Sequence, residues 1–274
     1  MTLSAETTSL EDSRVPRARI NLVTVIAVAI VSYAAADAVH ELLGHGTVAL
    51  LLGIKITSIS SVGLQSYESS RLLSAAGSVA NVLAGIISFL LLRRRQRLDS
   101  TAYFLWLFGF VNVMSGTCYL LASALLNNGD WSIVIGGLNP ARLWRAGMGA
   151  VGAGLYFLFV RWAGILMTRL VAGGAPSSQE LSRLTLPAYL AGGVLLTLAA
   201  VFNPFSRSLI LLSGVGASLG LTWGLLFIPQ LVTTGIQQEK AVFHTLSFSW
   251  TWALLAAIVA IFFILVCGPG ARFG

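Results

Sequence analysis

The chain has 274 residues, of which 56% are hydrophobic and only 10% are charged, and its mean hydropathy is +0.84. A composition this apolar excludes a soluble globular domain and indicates a protein that crosses a membrane several times. The formal charge of +7 arises from 17 basic and 10 acidic residues, and the basic residues lie mostly between apolar segments, where they orient membrane proteins, so no nucleic-acid partner is inferred.

The chain begins with a polar tail, residues 1–19. The apolar stretch that follows is longer than a signal-peptide core and lacks a cleavage site, so we expect it to be retained. Apolar runs of at least about 17 residues, long enough to span a bilayer, lie near 20–53, 72–92, 101–126, 147–171, 186–202, 208–232 and 244–267. They predict an all-α polytopic membrane protein with about seven transmembrane helices, or eight if the first run breaks near Asp37. We expect it in the cell membrane.

One connection differs from the others. Residues 54–63, directly after the first run, contain β-branched residues in partial alternation, a pattern that favours a short strand or hairpin at the membrane boundary. An exposed strand edge there can pair with an extended peptide. An ordinary interfacial loop is the alternative.

The first apolar run contains His40, Glu41 and His45, and ionisable residues at membrane depth usually mark a functional site. Two histidines and a glutamate on one helix resemble the zinc-protease pattern H-E-x-x-H, in which both imidazoles bind zinc and the carboxylate activates water. Here the histidines are five residues apart, which in a regular α-helix turns them about 140° away from each other. A single π-bulge would bring them together, and Gly44 is a permissive residue for one.

A zinc site on this helix needs a third ligand, usually a carboxylate, with one position left open for water. Asp130, in the polar turn that follows the third apolar run, is the best-placed acid, although an acid in such a turn is often simply solvated. Asp37, about one turn before His40, either orients that imidazole as a hydrogen-bond acceptor or is a charge at the membrane boundary.

The motifs in roughly the first 140 residues, taken in chain order, resemble those of the site-2 protease family of intramembrane zinc metalloproteases. The histidine motif of residues 40–45 is followed by residues 76–81, which are similar to the family's A-G-P-x-x-N helix with Ser78 in place of proline. Asn112 lies on a helix like the one that precedes the family's aspartate. Residues 128–131 resemble the N-x-D-G motif, but tryptophan follows the aspartate.

The resemblance implies that His40, His45 and Asp130 bind Zn²⁺, and that Glu41 is the general base and acid that acts on zinc-bound water. It also implies a polar catalytic role near the metal for Asn81. The residue type alone leaves two roles for Asn81, a hydrogen-bond donor to the developing oxyanion or an amide that packs between helices. The implied partners are a transmembrane protein or peptide substrate and the lipid bilayer, while the oligomeric state is left open.

The sequence therefore divides into the tail, a site-2-protease-like catalytic core (20–140) and accessory transmembrane helices (141–274). The expected function is that of a zinc metalloendopeptidase acting within the membrane. A catalytically inactive relative that binds membrane segments as a regulatory factor is one alternative. An ion- or proton-coupled transporter that uses the buried His, Glu and Asp residues is another.

The orientation in the membrane is left open by two conflicting arguments. The arginines within residues 14–19 and 93–97 belong in the cytoplasm by the positive-inside rule. That arrangement directs His45 and Asp130 toward the opposite side, whereas the family resemblance implies access from the cytoplasmic side.

Overall fold

A computed structural model describes residues 20–171, 177–232 and 246–273 of the chain. Within these ranges, seven helical segments are long and apolar enough to cross a membrane, which identifies a multi-pass membrane protein. We number them as spans 1 to 7: Leu22–Leu51, Arg71–Leu92, Ser100–Leu126, Ala141–Val171, Ser178–Val201, Ile210–Leu231 and Trp250–Cys267. The number of spans confirms the prediction from the apolar runs, and the predicted polar tail lies outside the described residues.

Span 1 is one continuous helical run with a change of helix type inside it. It consists of α1 (Leu22–Ala38), a π-helix (Val39–Gly46) and α2 (Thr47–Leu51). The side chain of Asn21 caps its start by accepting a hydrogen bond from the backbone N–H of Thr24. The helix does not break near Asp37, so the seven-span prediction holds rather than the eight-span one.

The remaining helices follow in chain order. Spans 2 and 3 are α3 (Arg71–Leu92) and α4 (Ser100–Leu126), and the short α5 (Asp130–Val134) lies in the connection after them. Spans 4 and 5 are α6 (Ala141–Val171) and α7 (Ser178–Val201). Span 6 comprises a π-helix (Ile210–Gly220), a 3₁₀ helix (Trp223–Phe227) and α8 (Ile228–Leu231), and span 7 comprises α9 (Trp250–Phe262) and a π-helix (Phe263–Cys267).

A small sheet lies at the end of span 1. Strands β1 (Ile56–Ser60) and β2 (Gly63–Ser66) form an antiparallel hairpin, which confirms the strand prediction for residues 54–63. A third strand, β3 (Ala271–Arg272), pairs with the other edge of β1, an arrangement the sequence did not predict. The strand order is β2-β1-β3, so β2 and β3 each have one open edge in the described sheet, and that of β2 is the longer.

Small residues let the helices of the bundle approach closely. A Cβ atom on Gly85 of α3 would lie 2.8 Å from the carbonyl oxygen of Gly109 on α4, and one on Gly116 would lie 2.6 Å from that of Ser78. Such contacts replace the hydrophobic driving force that is missing between helices in lipid. Spans 4 and 5 pack against spans 3 and 1 respectively, so the later helices belong to the same bundle as the first three spans.

Candidate metal centre

The π-helix brings the two histidines of span 1 together. Because a π-helical turn is closed by i→i+5 hydrogen bonds, residues five apart lie on one side of it. The ring centroids of His40 and His45 are 4.8 Å apart, with the rings nearly perpendicular. The motif has one residue more between its histidines than H-E-x-x-H, and the π-helix accommodates this extra residue.

Each imidazole is oriented by a hydrogen bond on its Nδ1 side. His40 Nδ1 lies 2.6 Å from Oδ1 of Asn81, and His45 Nδ1 lies 2.7 Å from the carbonyl oxygen of Leu73. Since both oxygens only accept hydrogen bonds, Nδ1 carries the hydrogen in each ring. The Nε2 lone pairs are then free to act as ligands, and such outer partners are how proteins orient metal-binding histidines.

Asp130, from the turn after span 3, completes the group. Its Oδ2 atom lies 3.3 Å from Nε2 of His40 and 3.3 Å from Nε2 of His45. Burial favours the neutral acid, but the two imidazoles that face its carboxylate outweigh burial and lower the pKa of Asp130 to about 2. Asp130 is therefore a carboxylate at neutral pH.

The separation between Oδ2 of Asp130 and each Nε2 atom is that of two ligands on one zinc ion. Ligand atoms about 2.0–2.1 Å from a tetrahedral zinc ion are separated from one another by about 3.3 Å. Two imidazole lone pairs and a carboxylate oxygen facing each other at such short range also need a cation between them, either a metal ion or protons on the rings. The donor set and its geometry therefore fit Zn²⁺ with a fourth position open.

Glu41 is the second carboxylate near the histidines. It is buried, and it has a carboxylate oxygen within 4.8 Å of the imidazole nitrogens of both His40 and His45. Asp130 is the more direct ligand, because a single oxygen of it lies 3.3 Å from both Nε2 atoms. Oε2 of Glu41 has no hydrogen-bond partner among the described residues. A buried carboxylate oxygen left in this state is suited to receive a proton from bound water.

The backbone of α3 closes one side of the histidine pair. A Cβ atom on Gly77 would lie 2.6 Å from Nε2 of both His40 and His45. A Cβ atom on Gly44 would in turn lie 2.5 Å from Cα of Gly77. Gly44 therefore serves a close helix contact as well as lying within the π-helix, and Gly77 leaves room for the ligand atoms to converge.

The short helix α5 is tied to α3, which positions Asp130. The indole Nε1–H of Trp131 donates to the hydroxyl of Ser78 over 2.9 Å, and Arg71 donates to the carbonyl oxygen of Gly136 over 2.8 Å. Besides the extra residue between the two histidines, Ser78 and Trp131 are positions at which the sequence departs from the motifs of the family it resembles. In the folded chain they are hydrogen-bond partners.

Asn81 is fully engaged by protein groups. Its amide group donates to the carbonyl oxygen of Ala36 over 2.9 Å and to Oδ1 of Asn112 over 2.8 Å, while its own Oδ1 faces His40. Both amide hydrogens are used, so in this arrangement Asn81 has no donor left for an oxyanion. In this arrangement Asn81 is a packing amide that also orients His40, and its catalytic role stays a prediction.

The structure excludes one of the two roles that the sequence left open for Asp37, that of the hydrogen-bond acceptor that orients His40. The ring nitrogens of His40 are partnered by Asn81 and Asp130, so Asp37 is not the acceptor that orients this imidazole. Its side chain instead lines the cavity described next.

A cavity of about 900 Å³ adjoins the metal-ligand group. His40, Glu41, His45 and Asp130 line one end of it, and strand β2 contributes to its wall. Much of the remaining wall comes from span 6, between residues 209 and 223. Helices that the sequence suggested only as accessory thus enclose the space next to the site.

Comparisons of this chain with protein-family models, with curated proteins and with solved structures give no match.

Proposed function

We propose that this protein is an intramembrane zinc metalloprotease that hydrolyses peptide bonds of membrane-embedded or membrane-proximal substrates. One observation carries the proposal: Oδ2 of Asp130 lies 3.3 Å from Nε2 of both His40 and His45, the separation of ligands on a tetrahedral zinc ion, and the buried carboxylate of Glu41 lies beside them with its Oε2 atom unpartnered among the described residues. A metal ion next to a free base is the minimal apparatus for activating water.

Bound Zn²⁺ would polarise the scissile carbonyl group and lower the pKa of water at the site to about 7. Glu41 takes a proton from the attacking water as the new C–O bond forms and the carbonyl electron pair moves onto its oxygen. The same carboxyl group then gives the proton to the amide nitrogen as the C–N bond breaks. Asn81 and the carbonyl oxygen of Leu73 hold both Nδ1 hydrogens, so the imidazoles keep their tautomer throughout.

The cavity supports a peptide substrate. At about 900 Å³, it lies in the upper range for pockets that enclose small molecules, about 300–1,000 Å³, and its wall includes the edge strand β2. A peptide bond must be accessible on both faces to be hydrolysed, so a helical substrate has to unwind locally. The open edge of β2 offers the unwound segment backbone hydrogen bonds beside the catalytic residues.

The variant Glu41→Gln tests this mechanism. The purified protein is reconstituted with a pool of single-span membrane proteins in H₂¹⁸O, and mass spectrometry measures both bound zinc and new ¹⁸O-labelled carboxyl termini. We expect zinc and labelled termini in the wild type, zinc without cleavage in Glu41→Gln, and neither in His40→Ala. Full cleavage by Glu41→Gln refutes the mechanism, and a zinc-free wild type unchanged by His40→Ala refutes the metal centre.

The same measurements distinguish the alternative functions. A wild-type protein that holds zinc, retains membrane segments and yields no labelled termini would be an inactive relative that acts by binding. A wild-type protein without zinc that moves ions or protons across liposomes would be a transporter.

A further inference from the structure

In the proposed mechanism, a hydrogen-bond donor to the carbonyl oxygen of the substrate would add to the polarisation that zinc supplies. This oxygen gains negative charge as water attacks, and one well-placed donor in such a position contributes about 10²–10³ in kcat. Asn81 does not supply it, because both of its amide hydrogens are donated to Ala36 and Asn112. The donor must therefore come from another residue that faces both the ligand group and the cavity.

Tyr119 on α4 meets these conditions. Its ring centroid lies 5.9 Å from that of His40, and its side chain lines the cavity together with Glu41. Its hydroxyl oxygen accepts a hydrogen bond from the backbone N–H of Asp130 over 3.4 Å. The hydroxyl group is thus held next to the backbone nitrogen of Asp130, the residue whose carboxylate is the candidate third ligand.

The hydrogen of this hydroxyl group is available. A phenol has one hydrogen to donate and two lone pairs that accept, and the contact with Asp130 uses a lone pair. Among the described residues, none accepts a hydrogen bond from Tyr119. The O–H group therefore behaves as a preformed donor that has no acceptor in the described part of the chain.

The loop before Asp130 is shaped around this hydroxyl. Gly129 has a φ of +82°, a conformation that favours glycine, and a Cβ atom there would lie 2.5 Å from the Tyr119 hydroxyl oxygen. Glycine satisfies both requirements. The close approach of Tyr119 to the Asp130 turn is therefore specified by the residue at position 129.

We infer that Tyr119 is a catalytic residue whose hydroxyl group donates a hydrogen bond to the substrate carbonyl oxygen as that oxygen becomes negatively charged. No proton is transferred by Tyr119: the proton of the attacking water goes to Glu41, and the phenol retains its own. This inference rests on the proposed function and assigns to Tyr119 the oxyanion-donor role that the residue type alone left open for Asn81.

The test is Tyr119→Phe, which removes one oxygen atom, with Tyr189→Phe as the matched control. Tyr189 lies on α7 and donates to the carbonyl oxygen of Leu219. We expect Tyr119→Phe to bind zinc as the wild type does and to lower kcat by about 10²–10³ with KM nearly unchanged. The control should keep kcat within about twofold of the wild type, because its hydroxyl does not face the metal ligands.

A binding measurement separates catalysis from structure. The probe is a phosphinic peptide built on the sequence that the wild type cleaves, since its charged tetrahedral centre resembles the attacked carbonyl group. Tyr119→Phe should bind this probe about 10²–10³ more weakly. In the Glu41→Gln background, the same substitution should leave the affinity for the uncleaved amide peptide unchanged.

The outcomes distinguish this inference from the proposed function. A Tyr119→Phe protein that binds the phosphinic peptide as tightly as an active wild type overturns the assignment of Tyr119 and leaves the protease intact. Loss of zinc in Tyr119→Phe also overturns it, because the tyrosine would then be structural. A wild type that binds zinc but cleaves nothing refutes the protease, whatever the behaviour of Tyr119→Phe.

Discussion

Replacing Gly77 by alanine should destroy the metal centre without touching any ligand. The added Cβ atom would lie 2.6 Å from Nε2 of His40 and from Nε2 of His45, about 0.8 Å short of the 3.4 Å at which ordinary contact begins. The imidazole rings cannot move freely away from this Cβ atom, because their Nδ1 atoms are hydrogen-bonded to Asn81 and Leu73. A displacement of this size exceeds the tolerance of about 0.2 Å in metal–ligand distances.

The helix α3 is equally restrained. It cannot simply move back, because its contact with Gly44 and the Trp131–Ser78 hydrogen bond hold it against the π-helix and α5. Loss of an outer-shell partner costs about 10–100-fold in metal affinity, and here both imidazole ligands are displaced directly. We therefore expect Gly77→Ala to weaken zinc binding by more than about 100-fold.

Zinc affinity is measured by competition with a chromophoric chelator in detergent, and folding by the thermal unfolding of the metal-free protein. Gly154→Ala is the control, because a Cβ atom on Gly154 would have no neighbour within 4 Å, so zinc binding should be unchanged. Wild-type zinc affinity in Gly77→Ala would show that the two Nε2 atoms do not face α3, and the metal centre inferred from them would be wrong.

The other predictions concern the groups that support the ligands. Trp131→Phe and Ser78→Ala should each lower zinc affinity by about 10–100-fold. The double variant should bind zinc as tightly as either single variant. Additive losses of affinity in this double-mutant cycle would show that the two side chains act separately. Asn81→Ala should also cost about 10–100-fold, measured by chelator competition; an unchanged affinity would mean that Asn81 does not orient His40. Leu43 is 65% exposed, and its deletion should convert the π-helix to a regular α-helix. Zinc should stay bound, because the two histidines are then four residues apart and share a helix face. Loss of zinc with an intact fold would show that the π-helix is needed.

The membrane topology was predictable because it depends on local composition. Seven apolar runs are long enough to cross a bilayer, and the structure has seven spans. The π-helix at Val39–Gly46 was also foreseeable, since a metal shared by His40 and His45 is geometrically incompatible with a regular α-helix. In both cases the decisive quantity, a length or a residue spacing, can be read from neighbouring positions in the sequence.

Other features depend on contacts between distant segments and carry no local signal. The acceptor for His45 is the carbonyl oxygen of Leu73, and any residue type supplies a carbonyl group, so no side chain pattern marks it. Pairing of β3 with β1 joins the last described residues to the first connection, and two residues are too few to form a detectable pattern. The engagement of Asn81 with Ala36 and Asn112 likewise becomes visible only once three spans are packed together.

The residues at positions 78 and 131, which differ from the motifs of the family that the sequence resembles, depend on each other in the structure. The tryptophan after Asp130 is partly buried, and its indole N–H needs a hydrogen-bond acceptor where it packs against α3. Serine at position 78, where the motif has proline, supplies the acceptor from a helix 53 residues away in the sequence. Proline has no side-chain acceptor, so the motif residue at position 78 would leave Trp131 without this partner. The hydrogen bond between these two side chains cross-links α3 to α5, and this cross-link helps to determine where Asp130 meets the two histidines.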